Sequence, residues 1–284
     1  MKIGVSGFAW TSKLDQTHLD RFPDLRNNGI HGFEVPMFAP ADLDAAAIRR
    51  ASEANGLECT VCAILPPGIN PISPDAAKRA TARNHVIRCI ETAAEMGAHQ
   101  MGGPLYAPIG YLPGHRRTAD EWDWAVEVFQ GIGETLDRCK VNLGIEPVNR
   151  SETHFLNTAA DTLAFCAAIG HPRVGILIDT FHANIEEKSI PGAVRTASSR
   201  LQHVHMSEND RGLLGSGHVE FSKLVAALRE VRYDGFLMIE GFGYSGSEKN
   251  CLGALWGDLN ITPEEIAFEG AAYVRGLLRL RPFL

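Results

Sequence analysis

The chain has 284 residues, 45% of them hydrophobic and 21% charged, and a net charge of −7. That length suits one large barrel or two small domains. An acidic balance, with no Lys/Arg cluster longer than the pairs Arg49-Arg50 and Arg116-Arg117, speaks against nucleic-acid binding, and no apolar run approaches the ~20 residues of a membrane span.

In chain order, the opening MKIGVSGFAW reads as a strand, without the apolar h-region and cleavage site of a signal peptide. HGFEVPM and LECTVCAIL follow as strands two and three. The second holds a CxxC, Cys59 and Cys62. Three positions apart on a strand, the two thiols point to opposite faces, so they read as core residues and not as a redox or zinc pair. Cys89, Cys139, Cys166 and Cys251 are scattered, and a reduced, cytoplasmic protein is expected. Ser73-Pro74-Asp75 puts a capping residue before a Pro at the first position of a helix over 74–96. AHQMGGPLY is strand four. Thr118 and Glu121 fit a capping box opening a helix over 118–139. NLGIEPV, VGILID, LQHVHMS and GFLMIEGF are strands five to eight. Helical spacing recurs over 158–169, 191–199, 221–231 and 262–278. Gly29, Gly56 and Gly97 close helices ahead of strands two, three and four.

Alternating strands and helices imply parallel strands with crossovers. Eight such units in this length match a (β/α)8 TIM barrel. An open doubly wound sheet fits less well, since strand one is not followed by GxGxxG and no break divides the chain. With no linker in view, residues 1–284 are expected to form a single domain.

Chemistry in such a barrel sits at the C-terminal ends of the strands. Strand five ends at Glu146, strand six at Asp179, strand seven at His205 and strand eight at Glu240. A lone Asp after a strand most often caps the next helix. Four metal-type donors on four successive strand ends are harder to explain that way. Residues two apart share a face, so Leu177 leads to Asp179, His203 to His205 and Met238 to Glu240. Three carboxylates facing one another would repel and raise each other's pKa unless a cation sat among them. Three carboxylates and one imidazole suit Mn²⁺ or Mg²⁺, with Co²⁺ also compatible, better than a thiolate-type zinc site.

IEPVNR, LIDTFHANIEE, HVHMSENDRG and MIEGF resemble the D-tagatose 3-epimerase and L-ribulose 3-epimerase group of the xylose-isomerase-like TIM barrels. The resemblance is strongest from Val141 to Phe242. It implies a metal, usually Mn²⁺ or Co²⁺, held by Glu146, Asp179, His205 and Glu240. It also implies substrate contacts from Glu152, His182 and Arg211, inversion at C3 of a free ketose, and a homodimer or tetramer. Inversion needs an acid–base group on each face of a planar enediolate, and Glu146 and Glu240, three strands apart, are placed to face one another across a substrate.

The sequence departs from that group in two places. Met206-Ser207-Glu208-Asn209 follows the strand-seven stretch where Gly-Glu is common. The loop GPLYAPIGYLPGHRR lacks a tryptophan and offers Tyr106 and Tyr111, while Phe8 and Trp10 are expected to wall the pocket. Other reactions at the same centre remain open: aldose–ketose isomerisation, inosose dehydration, or elimination from a 3-keto-glycoside. RGLLGSGH after strand seven lies where barrels often hold phosphate, although a plain turn is the simpler reading. An endonuclease of the same superfamily would want more His ligands and a basic groove. A sugar-binding protein without catalysis is the remaining alternative.

Overall fold

The structure, a computed structural model, describes residues 1–242 and 257–280; Cys251 lies outside them. Strands β1 Lys2–Ser6, β2 Gly32–Met37, β3 Glu58–Ala63, β4 Gln100–Gly103, β5 Asn142–Ile145, β6 Val174–Asp179, β7 Leu201–Met206 and β8 Phe236–Ile239 pair in sequence order. β1 closes the circle by pairing with both β2 and β8, in parallel. This is the expected (β/α)8 barrel. Every residue of β2 and of β6 is buried, as strands covered on both faces require.

The outer layer starts with two short helices, α1 Gln16–Leu19 and α2 Phe22–Asn27, then α3 Ala45–Asn55 and α4 Ala76–Glu95. It continues with α5 Ala119–Gln130, α6 Gly133–Cys139 and α7 Ala159–Ile169. α8 Thr180–Glu186, α9 Ile190–Ala197, α10 Phe221–Glu230 and α11 Pro263–Arg279 complete it. Thr118 and Glu121 form the capping box foreseen for α5, and Thr262 with Glu265 forms another on α11. Two expectations need correction. The cap of α4 is Asp75, whose carboxylate accepts Ala77 N at 2.8 Å; Ser73 lies just before the cap and accepts from Asp75 N at 3.2 Å. The pattern over 118–139 is two helices, because the chain breaks between Gln130 and Gly133. None of the described helices is long and apolar enough to cross a membrane.

The barrel interior is filled by large side chains facing glycines. Leu177 is fully buried, and a Cβ on Gly102 would lie 2.5 Å from its Cδ1. Met238 stands in the same relation to Gly4, at 2.6 Å. Burying each such side chain stabilises the fold by about 1.5–3 kcal/mol. Leu177 and Met238 each lie two residues before a carboxylate, so this packing forms the floor on which Asp179 and Glu240 stand. Gly103 ends β4 at φ 131, and a Cβ there would come within 2.1 Å of Ala63 O, so only glycine lets β4 approach β3 so closely.

Candidate active site

The C-terminal mouth brings together all four strand-end donors. Glu146 and Glu240 each follow directly after a strand, and Asp179 and His205 lie in β6 and β7. His205 Nδ1 is 3.8 Å from Glu146 Oε1 and 3.4 Å from Glu240 Oε1. Glu146, Asp179 and His205 each offer a ligand atom within 4.8 Å of the others. All four residues are buried.

Asp179 caps a helix with one oxygen and turns the other to the site. It is the N-cap of α8, and Oδ1 accepts Phe181 N at 2.9 Å. Oδ2 faces the site and accepts from Arg211 at 2.7 Å.

Arg211, which on its own would read as a solvated loop charge, is buried at the centre. Its NH1 group donates to Asp179 Oδ2, to Ser207 Oγ at 3.0 Å and to Glu240 Oε2 at 2.6 Å. The guanidinium lies 3.9 Å over the Phe181 ring and 5.3 Å from the Phe242 ring. Stacking and a planar fork together fix its orientation.

His182 is the next neighbour. The Asn149 backbone amide donates to its Nδ1 at 3.2 Å. Its Nε2 lies 3.1 Å from the Arg211 guanidinium and 3.6 Å from Asp179 Oδ2. Burial pushes the His182 pKa down to about 3, with Asp179 opposing and Arg211 adding to the shift, so the imidazole is neutral. Glu152 joins through Asn149, whose side-chain amide donates to Glu152 Oε1 at 2.7 Å. Burial raises the Glu152 carboxyl above the usual range, against the pull of Arg211.

The two glutamates expected to work as a pair sit in opposite electrostatic settings. Burial drives the Glu146 carboxyl well above the ordinary range; His205 opposes, and the charges of Glu240 and Asp179 add to the rise. Burial acts on Glu240 too, but His205 and Arg211 outweigh it and hold that carboxyl at about 2.

A deeper layer was not foreseen. Glu34 on β2 is fully buried inside the barrel. Its Oε2 is 2.8 Å from His203 Nε2 and accepts from Thr60 Oγ1 at 3.3 Å. Its Oε1 lies 3.0 Å from His205 Nε2, without the alignment of a hydrogen bond. A carboxylate behind a metal-type histidine fixes the ring and raises its basicity. The signal was a charge inside the apolar run HGFEVPM. Cys62 is buried and unbridged as expected, and its thiol lies within 4.8 Å of donor atoms of Glu34 and His205.

The aromatic expectations are partly corrected. Phe8 is buried 5.8 Å from the Phe242 ring, next to the guanidinium stack. Trp10 is drawn away by a 3.0 Å bond from Nε1 to Glu264 on α11. Tyr106 is a core residue whose hydroxyl donates to Leu156 O at 3.1 Å; Tyr111 is exposed. In the loop after β7, Gly215 N and Val219 N each donate to the Glu208 carboxylate at 2.9 Å. His218 N donates to Asn209 Oδ1 at 2.9 Å. Amides that would cradle a phosphate are already taken by side chains of the loop itself.

The residues present fit a divalent cation. His205 Nδ1 is buried without a hydrogen bond and faces two carboxylates. Burial lowers the His205 pKa, but Glu34 and Glu240 outweigh it and hold the ring well above the histidine range, a mark of a strongly negative field. Once ionised, Glu146, Asp179 and Glu240 outnumber the single guanidinium, and the donor set is rich in oxygen.

Comparison with known proteins agrees with this geometry. Residues 22–276 match the family described as xylose isomerase-like TIM barrel. A probable ketose 3-epimerase of Synechocystis sp. is 30% identical over 275 residues, 97% of this chain and 96% of its own. A D-psicose 3-epimerase of Agrobacterium fabrum is 35% identical over 228 residues, 78% of this chain and 76% of its own. The crystal structure of a D-psicose 3-epimerase in the presence of D-fructose superimposes with a TM-score of 0.88 at 29% identity, covering 98% of this chain and 99% of that one. The chain belongs to the xylose isomerase-like TIM barrel family and, within it, to the ketose 3-epimerases, which makes it an isomerase of the epimerase class.

Proposed function

We propose that this protein is a divalent-metal-dependent ketose 3-epimerase that inverts C3 of a free ketose, with Glu146 and Glu240 as the two acid–base groups. The observation that carries this reading is the opposed pair itself. Two buried carboxylates approach one imidazole nitrogen from different strands. An enzyme that removes a proton from one face and delivers one to the other needs two such groups.

Glu146, Asp179, His205 and Glu240 would hold the cation, with Mn²⁺ favoured by the oxygen-rich set and Co²⁺ or Mg²⁺ as substitutes. Bound there, it would supply Lewis acidity to the ketone and adjacent hydroxyl, making the C3 proton removable. One of the two carboxylates takes that proton, and the other returns a proton to the opposite face. Arg211 sets positive charge beside the oxygens on which negative charge develops. Neutral His182 and Glu152, linked by Asn149, position the sugar hydroxyls. An unphosphorylated substrate is supported by the β7–α10 loop, whose amides are engaged by Glu208 and Asn209.

The test uses metal-stripped protein reloaded with Mn²⁺ and incubated in D₂O with D-fructose, D-tagatose, D-psicose or L-ribulose. The expected NMR result is metal-dependent deuterium at C3 together with a new epimer. Deuterium at C1 with aldose formation would replace the proposal with an aldose–ketose isomerase. No exchange with any of the four would sink the free-ketose reading.

A further inference from the structure

A second group of metal-type donors sits on the barrel rim, apart from the centre described above. His115 lies in the loop between β4 and α5, Glu121 in the first turn of α5, and His154 in the loop between β5 and α7. One donor atom from each lies within 4.8 Å of the other two. The His154 and Glu121 side chains are each only 8% exposed; His115 is exposed.

The hydrogen bonds around these rings decide which nitrogen is free. His154 Nδ1 lies 3.3 Å from the Tyr111 carbonyl, and His115 Nδ1 lies 2.9 Å from the Arg116 carbonyl. A carbonyl only accepts, so each Nδ1 carries the proton and each Nε2 of a neutral ring presents a lone pair. This is how metal-binding histidines are oriented, one nitrogen donating to a backbone carbonyl and the other left for the ion. His154 Nε2 then points at Glu121 Oε1, 3.2 Å away. A lone pair facing a carboxylate oxygen needs positive charge, either a proton on the ring or a cation beside both.

The carboxylate is equally well set. Glu121 Oε2 is held by the capping box, accepting Thr118 N at 2.8 Å, which leaves Oε1 for the site. Tetrahedral zinc, with bonds of 2.0–2.1 Å, spaces its ligand atoms roughly 3.3 Å apart, close to the His154–Glu121 separation. The exposed His115 ring, 5.8 Å from the His154 ring, is the ligand that swings in to close the site. Two imidazoles and one carboxylate prefer Zn²⁺, Co²⁺ or Ni²⁺ to Mg²⁺ or Mn²⁺.

We infer that His115, Glu121 and His154 form an auxiliary site for Zn²⁺ or a similar late first-row divalent ion, pinning the β4–α5 loop to the β5–α7 loop. The second of these loops carries Glu152 two residues before His154, so occupancy stiffens the rim beside the sugar site. The role is structural; none of the three residues belongs to the catalytic group.

The test counts metal and needs no turnover. Full-length protein without a histidine tag is dialysed against Co²⁺, and bound metal is measured by mass spectrometry alongside the visible spectrum. Wild type is expected to bind two ions per chain, with intense bands of a four-coordinate site for one of them. His115→Ala, a change at an exposed ring, is expected to bind one ion and lose those bands while retaining its epimerase activity. Glu121→Gln, which keeps an oxygen for the cap, is expected to weaken the second ion at least 10-fold. A stoichiometry and bands that His115→Ala leaves unchanged, whether for one ion or two, would overturn the inference; a single wild-type ion that is lost in His115→Ala would count against the catalytic metal instead. The result does not depend on which sugar is the substrate, so it stands or falls separately from the function proposed above.

Discussion

Arg211 shows how much one side chain settles in this site. It sits at φ 64, a left-handed conformation that few non-glycine residues adopt. It is held there by its own amide donating to Glu208 O and by Phe242 N donating to its carbonyl. From that position one guanidinium reaches two carboxylates, a serine and His182 while stacking between two rings. Lysine offers a point charge that cannot make this set of contacts at once. Arg211→Lys is therefore expected to lower kcat/KM by about 10²- to 10³-fold, checked by steady-state kinetics with metal content verified; a loss within threefold would remove Arg211 from the mechanism. His182 yields a pH prediction. Its folded pKa, about 3, lies below the ordinary histidine value of 6.5, so between those values the unfolded chain binds a proton that the folded chain does not. Its contribution to stability is present above pH 6.5 and is lost as pH falls, by about 1.4 kcal/mol per pH unit. In urea titrations with chelator at pH 7.5 and 5.5, wild type should lose more stability on acidification than His182→Gln. Equal losses in the two proteins would mean that His182 is not buried neutral.

At the level of elements, the site depends on loops built around single polar side chains. Glu208 accepts backbone amides from Asn209, Gly215 and Val219, so one carboxylate organises the turn that presents Arg211. Glu208→Gln leaves one oxygen to do this and sets an amide group that cannot accept against at least one of these N–H groups. A loss of about 1–3 kcal/mol is expected, seen as a lower Tm together with reduced kcat; a variant with lowered Tm and unchanged kcat would separate loop stability from Arg211 placement. This loop also marks the limit of what the sequence discloses. Glu146, Asp179, His205 and Glu240 were legible because each breaks an apolar strand at its end, where a barrel keeps its chemistry. The capping box at Thr118 was legible because it is local. Glu34 was not, since its partners His203 and His205 are some 170 positions away and only barrel closure joins them. The break after Gln130 escaped because a short interruption leaves helical spacing intact on both sides. Tyr106 looked like a pocket residue because its loop was right, but its hydroxyl is tied to Leu156 and its ring stacks on Phe155.

At the scale of the whole molecule, the barrel concentrates charge that the fold alone does not balance. The strands converge so that Glu146, Asp179 and Glu240 meet in a buried mouth with only Arg211 as a fixed counter-charge among the described residues. Glu34 adds a fourth carboxylate below, matched to His203 and His205. Desolvating carboxylates in this way costs several kcal/mol per ion unless they are paired. A divalent ion bound to the folded chain and not to the unfolded one returns stability by mass action, about 4 kcal/mol at a thousandfold excess over Kd. For a chain somewhat longer than 250 residues, 1 kcal/mol corresponds to roughly 2 °C in Tm or slightly less. Stripping the protein with chelator should therefore lower Tm by several degrees and abolish epimerisation, and Mn²⁺ should restore both. His205→Ala, which removes the donor facing Glu146 and Glu240, should make Tm much less responsive to Mn²⁺. The experiment is a calorimetric scan of wild type and variant with chelator and with excess Mn²⁺, alongside the sugar assay. A wild-type Tm that ignores Mn²⁺ would show that Arg211 and bound protons already balance the site, and the metal-dependent reading would fail with it.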